Sequence, residues 1–286
     1  MNDKVWKAFA AGCVLTMSVG WSAQAGAQTS EVKAKPTLYT YVADWNIPRE
    51  KWADMEKSYA PTEKLLDKAI ADGTIVGYGN DRTIVHQGDG VTHDDWWSAM
   101  SLAGVLNMLD QVEKAGGSGT SVLDSATGHF DNVYESRYYN WHPGAVKDGY
   151  TYEASYRLKP DAPDEAVSTL SKQLIVPLLE KLFADGTLRE YEVDTQAIHT
   201  EAPGMFTIVY IASTADGLDK VNAALDEAMK SNPLGGVAFG SMIDSARTTM
   251  SWVAPTQRIS RGCVGFGFRE RATRAKALIA GLVRHG

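Results

Sequence analysis

His86 and His199 stand 113 residues apart, each eight residues after a tyrosine, Tyr78 and Tyr191. Imidazole changes charge near neutral pH and can shuttle a proton, and a phenol an even number of strand positions away lies on the same face. Tyr41, Trp45, Tyr152 and Tyr156 would add an aromatic wall with polar tips, the composition expected of a small-molecule site. Arg137, after Ser136, and Arg247, after Ser245-Ala246, could hold an anionic group of the ligand. The competing reading is a protein core in which Tyr and His are satisfied by hydrogen bonds.

Other motifs carry less chemistry. His93-Asp94-Asp95-Trp96-Trp97 offers an imidazole beside carboxylates, but adjacent residues diverge in direction, so a solvated loop is expected rather than a metal site. Asp72-Gly73 and Asp185-Gly186 read as helix ends, with Gly in the left-handed cap and Asp bonding the turn. The glycine-rich run 115–121 lacks the Lys-Ser/Thr ending of a phosphate loop. The sequence contains no HExxH, no GxSxG and no kinase motif set.

Self-similarity decides how these residues must be positioned. Leu65-Leu66-Asp67-Lys68 through Asp72-Gly73-Thr74 recurs as Leu178-Leu179-Glu180-Lys181 through Asp185-Gly186-Thr187, and 10 of the 22 positions from 65 to 86 are identical 113 residues later. Upstream, Tyr39-Thr40-Tyr41 answers Tyr150-Thr151-Tyr152; downstream, Leu109-Asp110-Gln111-Val112 answers Leu218-Asp219-Lys220-Val221. The downstream anchor is closer by four residues, which assigns the first unit a four-residue excess around 93–97. A duplicated unit of this size is read before any single motif.

Each unit shows the same order of periodicities. Alternating Tyr39, Tyr41, Ala43 and Trp45, and Tyr150, Tyr152, Ala154 and Tyr156, predict strands. Helices follow, opened by Pro48 and Pro163, closed by Gly73 and Gly186, and kinked or split at Pro61 and Pro177. Strands are then expected at 75–86 and 96–103, and at 188–199 and 205–213. Second helices near 105–115 and 215–230 precede last strands near 130–141 and 237–252. The order is βαββαβ twice, an α+β chain of two ferredoxin-like units. The units span residues 38–141 and 150–253, joined by a linker at 142–149.

An antiparallel sheet with both helices on one face must cover its other face, and the second sheet is the nearest cover. In this respect the chain resembles the dimeric α+β barrel superfamily, as a fused pair with its sheets face to face. The resemblance implies an apolar or aromatic ligand held between the sheets, as in cofactor-free monooxygenases, with His86 or His199 as proton shuttle. It also implies, less directly, a haem protein with one of these histidines as axial ligand. The alternative is a binding or structural module without chemistry, favoured by the lack of a catalytic motif. Fold supports function only by analogy here, and no cofactor is read from the residues themselves.

The ends differ from the body. Residues 1–27 combine Lys4 and Lys7, a short apolar run from Ala8 to Val19 and Ala23-Gln24-Ala25-Gly26-Ala27, the pattern of a cleavable signal peptide; the product would be periplasmic or secreted. Cleavage removes Cys13 and leaves Cys263, excluding an intramolecular disulfide and a CxxC pair. The chain of 286 residues carries a net charge of -7, which argues against nucleic acid as partner. Residues 256–286 hold seven basic residues and one acid, with Phe268, Ala272, Ala275, Ile279 and Leu282 at helical spacing. This predicts a basic amphipathic tail at 254–286 that lies against the acidic body of the protein, makes weak contact with an anionic membrane surface, or stays unordered. Full-length protein is expected to co-sediment with anionic liposomes at low salt and a chain ending at residue 255 is not; equal sedimentation would remove the membrane contact.

Overall fold

The computed structural model describes residues 32–85, 90–116, 120–253 and 257–259. The expected leader, His86 and the residues beyond 259 lie outside them. Within the first unit the order is β1 (Leu38–Asn46), α1 (Trp52–Asp72), β2 (Gly77–Val85), β3 (His93–Ala99), α2 (Leu102–Lys114) and β4 (Gly128–Trp141). A short β5 (Gly144–Val146) occupies the expected linker. The second unit has β6 (Tyr150–Leu158), α3 (Ala166–Leu170), α4 (Val176–Ala184), β7 (Leu188–Ile198), β8 (Met205–Ala212), α5 (Ala215–Ser231), α6 (Pro233–Met242) and β9 (Ile243–Val253), with β10 at Gln257–Ile259.

The strands pair antiparallel as β2-β3-β1-β4 in the first unit and β7-β8-β6-β9 in the second. Two seams, β4 with β7 and β2 with β9, join the units edge to edge. Eight strands thus close into one barrel, which leaves no free edge among them. The two half-barrels face each other across a lumen, and each half carries its own helices outside. The apolar core is therefore divided. One part packs Leu66, Ala69, Val105 and Met108 against the outer face of the first sheet; the other packs Leu170, Leu179, Leu182 and Val221 against the second.

Local chemistry explains the helix ends. Gly73 and Gly186 both sit at φ +80°, and Asp72 and Asp185 accept from the backbone N–H of Thr74 and Thr187 at 3.0 and 2.9 Å. Ser101 and Thr214 cap α2 and α5 by accepting from Gly104 N and Gly217 N. Tyr78 donates to Asp67 at 2.8 Å and Tyr191 to Glu180, pinning each middle strand to the helix before it. All these equivalents lie 113 residues apart.

The shared offset corrects the alignment of the second helices. The caps pair α2 with α5 at 113, not at the shorter offset that Leu109 and Leu218 give. The discrepancy is four residues, about one helical turn, the shift at which an amphipathic helix matches itself. The supposed excess at 93–97 is therefore not a loop. His93 and Asp94 are buried in β3, which pairs with both β1 and β2.

Two further expectations change. Pro61 lies within a continuous α1, whereas the helix before Pro177 is interrupted by a π-helical stretch, Ser171–Ile175. Proline cannot donate to the carbonyl four residues back, and the wider turn accommodates that loss. The last strand begins at Ile243 because residues 233–242 form α6, opened by Asn232, whose side chain accepts from Gly235 N.

Gly73→Ala and Gly186→Ala each place a side chain at φ +80° with open space around it, so the cost is backbone strain alone. Each is expected to lower unfolding free energy by about 1 kcal/mol in urea denaturation, and a neutral result would show that the cap relaxes.

Candidate functional site

Strand alternation sorts the candidate residues. In β1, Thr40, Val42 and Asp44 line the barrel lumen, so Tyr41, Ala43 and Trp45 face the helices. The same phase puts Tyr78 in the first helical core and Tyr152, Tyr156 and Tyr191 in the second. The aromatic wall expected between the sheets is thus on their outer faces. Shifting the phase by one residue exchanges the two faces completely, and aromatic alternation alone does not say which face is inward.

The remaining candidates are dispersed. His199 follows the end of β7 and is exposed. Arg137 is exposed at a bulge where the register of β4 and β7 shifts between Ser136 and Tyr138. Arg247 alone of the named set lines the lumen, at its solvent-exposed rim. Tyr152 stacks on Tyr210 and Tyr156 on Phe206, with centroids 4.9 and 5.3 Å apart, and Phe239 meets Tyr156 edge-on. In the second unit these rings pack between sheet and helices.

In the first unit the corresponding region holds a cavity. A chamber of about 150 Å³ lies between the sheet and α1 and α2, the size at which an apolar protein cavity takes up benzene. Tyr41 stacks on Trp97 with centroids 4.3 Å apart. Tyr59 and Asn80 line the chamber, and the Tyr59 hydroxyl and Asn80 Oδ1 are buried without a hydrogen-bond partner. An unsatisfied buried polar atom costs about 1–3 kcal/mol, which a ligand hydroxyl or carbonyl could recover. Asn80 Nδ2 donates to Asp95 at 2.6 Å, and burial, opposed by this bond, raises Asp95 to about 6.

At the chamber mouth, Tyr41 donates to Asp131 Oδ1, and the same oxygen lies 3.2 Å from His129 Nε2. His129 Nδ1 is 3.2 Å from the Asp44 carbonyl, which it can meet only as donor. The ring stacks on Trp45 at 3.7 Å between centroids and 8° between planes. Burial, then the Asp131 carboxylate, raise Tyr41 far above the ordinary phenol range, so its proton stays on oxygen. His129 and Asp131 escaped the sequence reading although His-x-Asp in a strand puts both side chains on one face.

The lumen is chemically opposite. It encloses about 130 Å³, and β7 contributes Glu190, Glu192 and Asp194, three acids at the strand period, a stripe visible in the sequence. Asp81, Asp94 and Glu153 face it from other strands. Burial raises all six, reinforced for Asp81 by Glu153 and for Asp94 by Asp81; Asp81 and Glu192 reach about 7. Hydroxyls share the load, Thr151 donating to Asp81 at 3.2 Å and Thr40 to Glu192 at 3.4 Å.

The residues described do not fit a haem. His129, the histidine lining the chamber, has both ring nitrogens engaged and a face covered by Trp45. His199 reaches neither cavity's lining. Among the described residues no group of three or more His, Cys, Asp or Glu is arranged to hold a metal ion.

No family model matches the sequence, and no curated protein matches it. Solved structures do match in shape. A monooxygenase-like protein of Fusobacterium nucleatum superposes with a TM-score of 0.58 at 10% identity, over 78% of this chain and 94% of that one. One from Lactobacillus acidophilus gives 0.51 at 10% identity, over 78% and 97%. An anthrone oxidase-like protein gives 0.48 at 12% identity, over 82% and 98%. The likeness is one of fold, an α+β barrel with both halves in one chain.

The raised acids fix the sign of the pH dependence. Above about pH 4 the unfolded chain releases protons that the native lumen keeps, so stability falls as pH rises from about 4 through 7. The melting temperature is expected to drop between pH 5 and pH 8, and Asp81→Asn is expected to flatten the drop. An unchanged slope in that variant would assign the effect to other groups.

Proposed function

We propose that this chain binds a small aromatic molecule bearing a hydroxyl or carbonyl in the first-unit chamber and removes a proton from it, as a cofactor-free, oxygenase-like enzyme. The observation that carries this reading is the pair of unsatisfied atoms, Tyr59 hydroxyl and Asn80 Oδ1, in a benzene-sized chamber walled by Tyr41 and Trp97. A phenolic hydroxyl can accept from Tyr59 and donate to Asn80, and its ring would replace empty space with aromatic contact.

His129 Nε2 is the base in this scheme. Its Nδ1 proton is held by the Asp44 carbonyl, so Nε2, which faces Asp131 at 3.2 Å, exchanges that neighbour for a second acidic group at the mouth end of the ligand, distinct from the hydroxyl held by Tyr59 and Asn80, and Asp131 stabilises the imidazolium that forms. Tyr41, fixed as a donor, orients Asp131. Deprotonation yields a phenolate or enolate, the electron-rich form that reacts with dioxygen. Small-molecule binding and oxygenase-like chemistry accord with the similar structures, whose likeness extends to the fold. Export of the mature chain to the periplasm or medium belongs to the same proposal and rests on the leader sequence.

The second reading is a binding module without chemistry. It is favoured by the exposure of the His129 and Asp131 side chains, 35% and 49%, which leaves the base in contact with water.

Calorimetric titration is expected to show saturable binding of phenol, several-fold tighter than toluene because of the hydrogen bonds. Leu66→Trp, filling the chamber, is expected to abolish both. No saturable binding of either probe would overturn the proposal. Binding without dioxygen uptake across a series of phenols, with identical behaviour of His129→Ala, would select the binding module.

A further inference from the structure

The barrel lumen has no part in the chamber chemistry, yet its composition is unusual for a protein interior. Carboxyl groups are rarely buried unless paired. Here Asp81, Asp94, Glu190, Glu192 and Asp194 are each at most 5% exposed. Among the described residues that line the lumen, Arg247 is the one basic side chain, and it sits at the rim.

A second observation distinguishes this lumen from a cluster of protonated acids closed on itself. Asp81 is 1% exposed. Its Oδ2 accepts from Trp96 Nε1 at 3.3 Å and from Thr151 at 3.2 Å, while Oδ1 has no partner. A buried carboxylate oxygen left without a donor calls for one from outside the protein's own set.

The walls define what that donor is. Between the acids stand Val42, Val209, Ile211 and the Trp96 ring, surfaces suited to methylene groups and to a cation over an aromatic face. Thr40, Thr151, Ser155 and Thr207 supply hydroxyls, of which Ser155 and Thr207 bond each other at 3.0 Å. The acids are not grouped as a metal chelate. The space, about 130 Å³, corresponds to roughly four water molecules, enough for a short chain and too small for a large ring system.

We infer that the lumen is a binding site for a small aliphatic ammonium cation, most simply a short diamine, with Asp81 as the anchoring acceptor at its base. The ligand enters at the rim formed by Phe130, Glu201 and Arg247, whose exposure opens that end. An ammonium group donates three hydrogen bonds and carries the charge that the carboxylates lack. Protons held by the acids in the empty lumen are what the cation displaces, so binding releases protons and tightens as pH rises. The site is separate from the aromatic chamber and stands whether or not that chamber binds phenols.

Full-length protein titrated with putrescine, with 1,4-butanediol and calcium chloride as controls at matched ionic strength, tests this. Expected are saturable binding of putrescine alone, tighter at pH 8 than at pH 6, with a heat that varies with buffer ionisation. Asp81→Asn, which keeps shape, is expected to weaken binding roughly tenfold or more, and Glu153→Gln to weaken it in the same direction. Leu66→Trp should leave it unchanged, separating the outcome from that of the chamber. No saturable putrescine binding, equal binding in Asp81→Asn with a native melting transition, or equal stabilisation by calcium would overturn the inference.

Discussion

A closed barrel forces each strand to send alternate side chains into a space that the chain can neither leave open nor reach with helices. Everything distinctive here follows from which residues occupy which phase. Hydroxyls and carboxyls point inward, and aromatic and aliphatic residues point outward to helices that can bury them. Closure at the two seams fixes the phase: β4 must register with β7 and β2 with β9 at once, so one strand cannot slip without turning all its side chains over.

Much of the fold was legible in residue patterning, and the site was not, for related reasons. Element order, the capped helix ends at Gly73 and Gly186 and the tandem arrangement depend on local periodicity and turn chemistry, which sequence displays directly. Face assignment depends on tertiary closure. Tyr41 and Trp45 look like a ligand wall in either phase, and only the alternate set decides. Glu190, Glu192 and Asp194 at successive even positions were evidence against that phase having an apolar surround. The burial of His93 and Asp94 was obscured by a helix that matches itself one turn away, so a strand was read as an insertion.

The two interiors impose opposite demands. The helix-covered faces gain from area removed from water, and their pins, Tyr78 with Asp67 and Tyr191 with Glu180, are hydrogen bonds at the edge of an apolar layer. The lumen gains little apolar area and must hold acids in a region where ionisation is costly. It does so by sharing protons and hydroxyls, as at Thr151 and Asp81. Apolar burial is thus concentrated outside the barrel and buried titratable groups inside it.

Fusion of the halves also breaks an equality that identical subunits would have to keep. Two copies of one chain related by a twofold axis carry every pocket twice. Here Tyr152, Tyr156 and Tyr210 pack in the core beside the second sheet, while the matching side of the first sheet carries an open chamber. The guest proposed for the open chamber would therefore meet a different surround in the other half. A substitution beside the chamber then changes one half of the barrel without an obligatory counterpart in the other.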